Sequence, residues 1–158
     1  MEKRNIYENL LTQLRGILTG ETDPIANMAN TAAVLFQNLP QLNWAGFYVL
    51  RAKELVLGPF QGKPACVRIA LGRGVCGTAA QTAQTQVVPD VHKFAGHIAC
   101  DAASQSEIVV PIILNGQVWG VLDIDSPVLA RFNDTDKIYL EKAVALLLAN
   151  TDFSHYGA

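Results

Sequence analysis

From about Ile6 to Leu18 apolar side chains recur at the spacing of one helical face. Asp23 followed by Pro24 starts a second helix, with a capping side chain and a ring suited to the first turn, and the apolar spacing carries it to roughly Gln37. The pattern then changes to strand-like runs. Asn43 to Leu50 and Glu54 to Phe60 read as the strands of a hairpin turned at Arg51, Ala52 and Lys53. Gly72, Gly74 and Gly77 punctuate a turn, Cys76 to Gln84 reads as a short helix, and Gln86 to Val88 as a short strand stopped by Pro89. Asp90 to Gln105 reads as a long loop, and long loops in compact domains often bind or close over ligands. Two strong strands follow, Glu107 to Leu114 and Gln117 to Asp125, joined by Asn115 and Gly116, whose tolerance of positive φ suits a tight hairpin. Asn133 caps a last helix from Asp134 to about Ala149, with Asp136 in its first turn. Helix, strands, then helix, with neither an internal repeat nor a Ser/Gly linker, predicts an α+β fold in a single domain spanning residues 1–158.

A length of 158 residues gives room for one substantial core. Half of the residues are hydrophobic, yet the aliphatic run Ala143 to Ala149 is far short of a bilayer span, so no membrane segment is expected. The start, MEKRNIYENL, lacks the basic stretch and apolar core of a secretory signal, which points to the reducing cytoplasm and away from permanent disulfides. With a net charge of −2 and scattered Lys and Arg, nothing forms the basic stripe that nucleic acid requires.

The candidate chemistry lies in the strands and the loop. Val121, Asp123 and Asp125 share one face of their strand while Leu122 and Ile124 share the other. Two neighbouring carboxyls partly removed from water resist ionising together, so one is available as a proton donor; the plain alternative is a strand end running into solvent. Glu107, entering the adjacent strand, can lie beside Asp123, and such a trio of acids would attract an ammonium group. Trp44, Gly46 and Tyr48 also share a face, where two aromatics flanking a glycine either wall a small apolar pocket or pack as core. Cys66, Cys76 and Cys100 match no zinc spacing, and His97 with Cys100 makes one close pair only, so no metal is expected. Cys66, in a strand-like KPACVRI segment, and Cys76, at a helix start, have the look of buried inert thiols. Cys100 lies in a loop near His97, where a thiol ionises more readily, although an inert role is equally open.

Taken together, NWAGFYVL, GPFQGKPACVRI, GRGVCGTAA, VPDVHKFAGHIACDAASQSEIVVPI and WGVLDIDSP resemble the free methionine-(R)-sulfoxide reductases, a branch of the GAF-domain superfamily. The resemblance spans nearly the whole chain, and its specificity comes from three cysteines and three acids in order. It implies a central antiparallel sheet of about six strands flanked by helices, free L-methionine-(R)-sulfoxide as substrate, no cofactor, thioredoxin as reductant and a homodimer. It further implies that Cys100 is the nucleophile, Cys66 the resolving thiol and Cys76 an alternative or relay thiol. Glu107, Asp123 and Asp125 would bind the substrate ammonium and help protonate the sulfoxide oxygen, and Trp44 and Tyr48 would receive the terminal methyl. The competing expectations are a GAF sensor that binds a small molecule without chemistry, or a thiol redox switch.

Overall fold

Tyr7, Leu10, Leu11, Leu14 and Leu18 form the buried face of helix α1 (Lys3–Leu18), which begins three residues before the apolar pattern does. Helix α2 (Pro24–Asn38) starts as expected: the Asp23 side chain accepts from the Ala26 N–H, and Pro24 occupies the first turn. The remaining elements of this computed structural model, which describes residues 2–98 and 100–156, are β1 (Trp44–Arg51), β2 (Glu54–Gly62), β3 (Arg68–Ala70), α3 (Gly74–Thr82), β4 (Gln86–Val88), a 3-10 turn (Val91–Lys93), β5 (Ser106–Leu114), β6 (Gln117–Ser126) and α4 (Asp134–Asn150). Ala99, inside the loop expected at Asp90 to Gln105, lies outside the described residues.

The strands form one curled sheet in the order β3-β2-β1-β6-β5-β4, every neighbouring pair antiparallel, so the fold is α+β as expected. Asn115 and Gly116 turn β5 into β6 with φ of 53° and 77°, the left-handed pair that a two-residue hairpin demands. The alternation of side chains sorts the interior into two layers. Ala45, Phe47, Val49, Ile108, Val110, Ile112, Leu122 and Ile124 pack against α1, α2 and α4. Trp44, Tyr48, Val109 and Val121 face the other way, towards α3, whose Cys76, Ala79 and Ala80 cover only part of that face. The uncovered remainder is where the cleft lies.

Two expectations need correction. Cys66 is not in a strand; it sits in the connection between β2 and β3, because Pro64 lacks the N–H that would extend the ladder. Asp125 is also no solvated strand end, since β6 continues through Ser126, which is fully buried.

Helices α1 and α4 and the connection after β6 are tied together by Asp136, fully buried at the start of α4. Its Oδ1 accepts from the Tyr7 hydroxyl at 2.6 Å and Arg131 at 3.2 Å, and its Oδ2 accepts from Lys3 at 2.7 Å and the Asn133 N–H at 2.8 Å. Arg131 in turn donates to the Pro40 carbonyl at 3.0 Å. Burial alone would raise the Asp136 carboxyl, but the bonds from Lys3 and Tyr7 outweigh it and hold the group below the usual range. The stability it supplies is therefore present at neutral pH and is lost as pH falls through its lowered value. Asp136→Ala leaves Arg131 buried without its partner, and we expect a loss of roughly 3–5 kcal/mol in urea unfolding at pH 7; a loss below roughly 1 kcal/mol would contradict this assignment.

Candidate active site

The registers of β1, β6 and β5 bring the predicted residues into rows. Trp44 pairs with Asp125, which pairs with Glu107; one step along, Gly46 pairs with Asp123, which pairs with Val109. Glu107 thus stands directly across from Asp125, and Asp123 is its diagonal neighbour. A side chain at Gly46 would not fit: its Cβ would come within 2.8 Å of both Phe60 Cα and Trp44 Cη2. The glycine lets the Trp44 ring lie over the strand, stacked between Phe60 (5.2 Å between centroids) and Tyr48 (5.9 Å). The polar tips of both pocket aromatics are spoken for. Trp44 Nε1 donates to the Lys63 carbonyl at 3.1 Å and the Tyr48 hydroxyl to the Cys66 carbonyl at 2.8 Å, so the aromatic wall also fixes the segment that carries Cys66.

Glu107 and Asp123 are 7% and 6% exposed, and Asp125 is half-buried. Burial, reinforced for Glu107 and Asp125 by the charge of Asp123, pushes the carboxyls of Glu107 and Asp125 well above the ordinary range; Asp123 is also raised, by burial, while hydrogen bonds from its neighbours act in the opposite direction. The trio therefore holds protons at a pH where free acids have lost them. Asp123 Oδ1 is buried without a partner, an acceptor still waiting for a donor.

Cys76 lies beneath this cluster. Its Sγ donates to Glu107 Oε2 at 3.9 Å, and ligating atoms of Cys76, Glu107 and Asp123 all fall within 4.8 Å of one another. That is close enough for a metal ion, but burial, then the charges of Asp123 and Glu107, push the thiol well up. A thiol that keeps its proton is a poor nucleophile, and the acids beside it also suit a cation that donates hydrogen bonds.

Cys66 and Cys100 are joined by a disulfide, with 5.6 Å between their Cα atoms, the pairing that the family resemblance implied. Cys66 is half-buried and Cys100 exposed. Trp44, Tyr48, Cys76, Cys100, Glu107, Asp123 and Asp125 all line one cleft; Cys66 is not part of its wall and reaches it through Cys100. The space open to solvent inside is about 50 Å³, room for a few waters. His97, expected beside Cys100, lines the cleft, as do Arg73, Asp101 and Ser104, which no sequence pattern singled out for this role. Arg73 had a weak signal in the flanking Gly72 and Gly74, whereas Asp101 and Ser104 lie in aperiodic chain. His97 faces the cleft with its pKa lowered, by burial and then by His92, which favours the neutral imidazole.

A six-stranded antiparallel sheet with helices on one face and a cleft on the other is the architecture of a GAF domain, and the GAF-domain family profile matches residues 14–151. The free methionine-R-sulfoxide reductase of Escherichia coli is 53% identical over 161 aligned positions, covering 100% of this chain and 98% of its own. Two solved structures agree closely. The Staphylococcus aureus enzyme in its reduced form has 53% identity and a TM-score of 0.89 over 91% of this chain and 94% of its own. The Neisseria meningitidis enzyme in complex with its substrate has 46% identity and a TM-score of 0.92 over 95% and 90%. The chain belongs to the GAF-domain family and, within it, to the free methionine-R-sulfoxide reductases.

The raised acids make a prediction about stability. The native state keeps protons that the unfolded chain releases near about pH 4, so these groups cost stability as pH rises from there through their native values. Asp123→Asn removes one such charge with little change of shape. We expect the variant to melt a few degrees higher than the parent at pH 7, with the gain shrinking as the pH approaches about 4. Thermal melts across this range check it, and a lower melting temperature at pH 7 would count against the raised acids.

Proposed function

We propose that this chain reduces free methionine-(R)-sulfoxide to methionine, with Cys100 as nucleophile, Cys66 as resolving thiol and a thioredoxin-type dithiol as reductant, acting as a homodimer. The observation that carries the reading is the single cleft that unites the Cys100 thiol position, three proton-holding carboxyls and an aromatic wall. A free amino acid presents what each part would recognise. Its ammonium suits the unpaired Asp123 oxygen and the neighbouring acids, and its methyl suits the Trp44 and Tyr48 rings. A residue inside a peptide has no ammonium at that position, which restricts the substrate to the free compound.

In the first step the Cys100 thiolate attacks the sulfoxide sulfur, and a protonated carboxyl delivers its proton to the oxygen. The transient bond between the two sulfurs and the sulfoxide S–O bond then break as the hydroxyl passes to Cys100, so methionine leaves two electrons richer and Cys100, oxidised by two, becomes a sulfenic acid. Attack by the Cys66 thiol forms the Cys66–Cys100 bond and expels that oxygen as water. The external dithiol then reduces the disulfide by exchange, and the exposure of Cys100 gives it access. With so little free space in the disulfide state, the loop bearing Cys100 has to withdraw before the next substrate enters. Cys76, buried beside the acids and holding its proton in the disulfide state, supports them and is the alternative or relay thiol in this scheme.

The test is NADPH oxidation coupled through thioredoxin reductase and thioredoxin, with free R sulfoxide, free S sulfoxide and a peptide sulfoxide, alongside the solution mass of the chain. Turnover is expected with the free R compound alone, and Cys100→Ser abolishes it. Cys66→Ser releases about one equivalent of methionine per chain and then stalls, since the sulfenic acid has no partner. Because the thiolate is needed on one side and a protonated acid on the other, the rate is bell-shaped in pH. The amide variant among Glu107→Gln, Asp123→Asn and Asp125→Asn that removes the alkaline limb identifies the proton donor. Binding without turnover would leave a sensor as the better description.

A further inference from the structure

We propose that Asn43 is a positioning residue for the nucleophile: its carboxamide fastens the chain that follows Cys100 to the end of β1, fixing where the Cys100 sulfur stands. The catalytic consequence rests on the reductase reading; the positioning itself does not. Asn43 precedes Trp44, and its backbone N–H donates to the Asp125 carbonyl at 3.0 Å, so it is anchored to the strand that carries two of the acids. Both hydrogens of its Nδ2 are engaged, one with Asp101 Oδ2 at 3.0 Å and one with buried Ser104 Oγ at 3.0 Å. Asp101 adjoins Cys100. Its other carboxylate oxygen accepts from the Ala103 N–H at 2.9 Å, and these bonds, Ala103 first and Asn43 second, hold the Asp101 carboxyl below the ordinary range.

The orientation of the amide is fixed by charge, because turning it over would aim Oδ1 at the Asp101 carboxylate. Oδ1 is itself buried without a partner, so the side chain gives up one bond to make the other two. Beyond Ser104, the Gln105 N–H donates to the Ser126 carbonyl at 2.8 Å. On the other side of Cys100, among the described residues, His97 N–H donates to the Phe94 carbonyl and Cys100 N–H to the Ile98 carbonyl. Gly96, at a φ of 77° with open space around it, is a natural pivot there. Cys100 is therefore tied at Asp101 to β1, while on the Gly96 side it follows Ile98, which packs against the cleft-side core. A thiol tethered this way has a high effective concentration at the partner it meets, and releasing the tie at Asp101 lowers it.

The test is the equilibrium of the Cys66–Cys100 disulfide in glutathione redox buffers, read by mass after quenching in acid and alkylation. Asn43→Ala should need about tenfold more oxidising conditions for half-oxidation. Asp101→Ala, which leaves β1 untouched, should give the same shift, and the double variant no more than either alone. Asp101→Asn keeps an accepting oxygen and should stay within about twofold of the parent. An unchanged midpoint in both alanine variants, or shifts that add in the double variant, overturns the proposal; if Asn43→Ala does not fold, the two Asp101 variants decide. No sulfoxide enters this measurement, so the shift in the alanine variants of a parent chain without turnover would sink the reductase reading and leave the positioning role standing. With turnover, Asn43→Ala should lower kcat several-fold per folded chain, the folded fraction being measured separately, and leave KM near the parental value.

Discussion

Three carboxyl groups gathered beneath a protein surface repel one another when ionised and cost free energy to desolvate, so Glu107, Asp123 and Asp125 must be held by something stiff. The β5–β6 hairpin supplies it. Its long antiparallel ladder, closed by Asn115 and Gly116, fixes Glu107 opposite Asp125, and β1 on the far side of β6 fixes Trp44 and Gly46 against the same acids. Without that ladder the acids would move apart and ionise, and the cleft would lose its protons and its unpaired acceptor.

The stiffness comes largely from the opposite face. Ile108, Val110, Ile112, Leu122 and Ile124 alternate with the acids along the same two strands and pack into the layer of helices. That layer is secured in its turn through Asp136, Tyr7, Arg131 and Lys3. Each strand thus has one face devoted to apolar burial and another free to carry costly polar groups, since the first offsets what the second spends.

Features set by local periodicity could be read from the sequence. The helices, both hairpins, the cap of α4 and the shared faces of Trp44 with Tyr48 and of Asp123 with Asp125 follow from spacing and turn chemistry, and all occur in the structure. The direct pairing of Glu107 with Asp125 depends on hairpin register, which a one-residue difference at the turn would have altered. The strand-like reading of KPACVRI holds at Arg68 and Ile69, in β3, but not at Cys66, where Pro64 interrupts the ladder and the remote ring nitrogen of Trp44 and hydroxyl of Tyr48 hold the segment as a loop. Asn43, Asp101 and Ser104 meet across about sixty residues of chain, and nothing local to either segment marks them as partners. The class of chemistry came from the ordered set of cysteines and acids, which no single motif would have carried.

The bond between Cys66 and Cys100 joins the connection before β3, at one edge of the sheet, to the loop after β4, at the other. It closes a ring separated by 34 positions in sequence, and cross-linking a loop of that size restricts the unfolded chain by about 4 kcal/mol. Small domains have only about 5–15 kcal/mol in all. In the proposed cycle the oxidised form would be markedly more rugged than the reduced one, so a cell short of reductant would accumulate this protein in its most durable, and least active, condition.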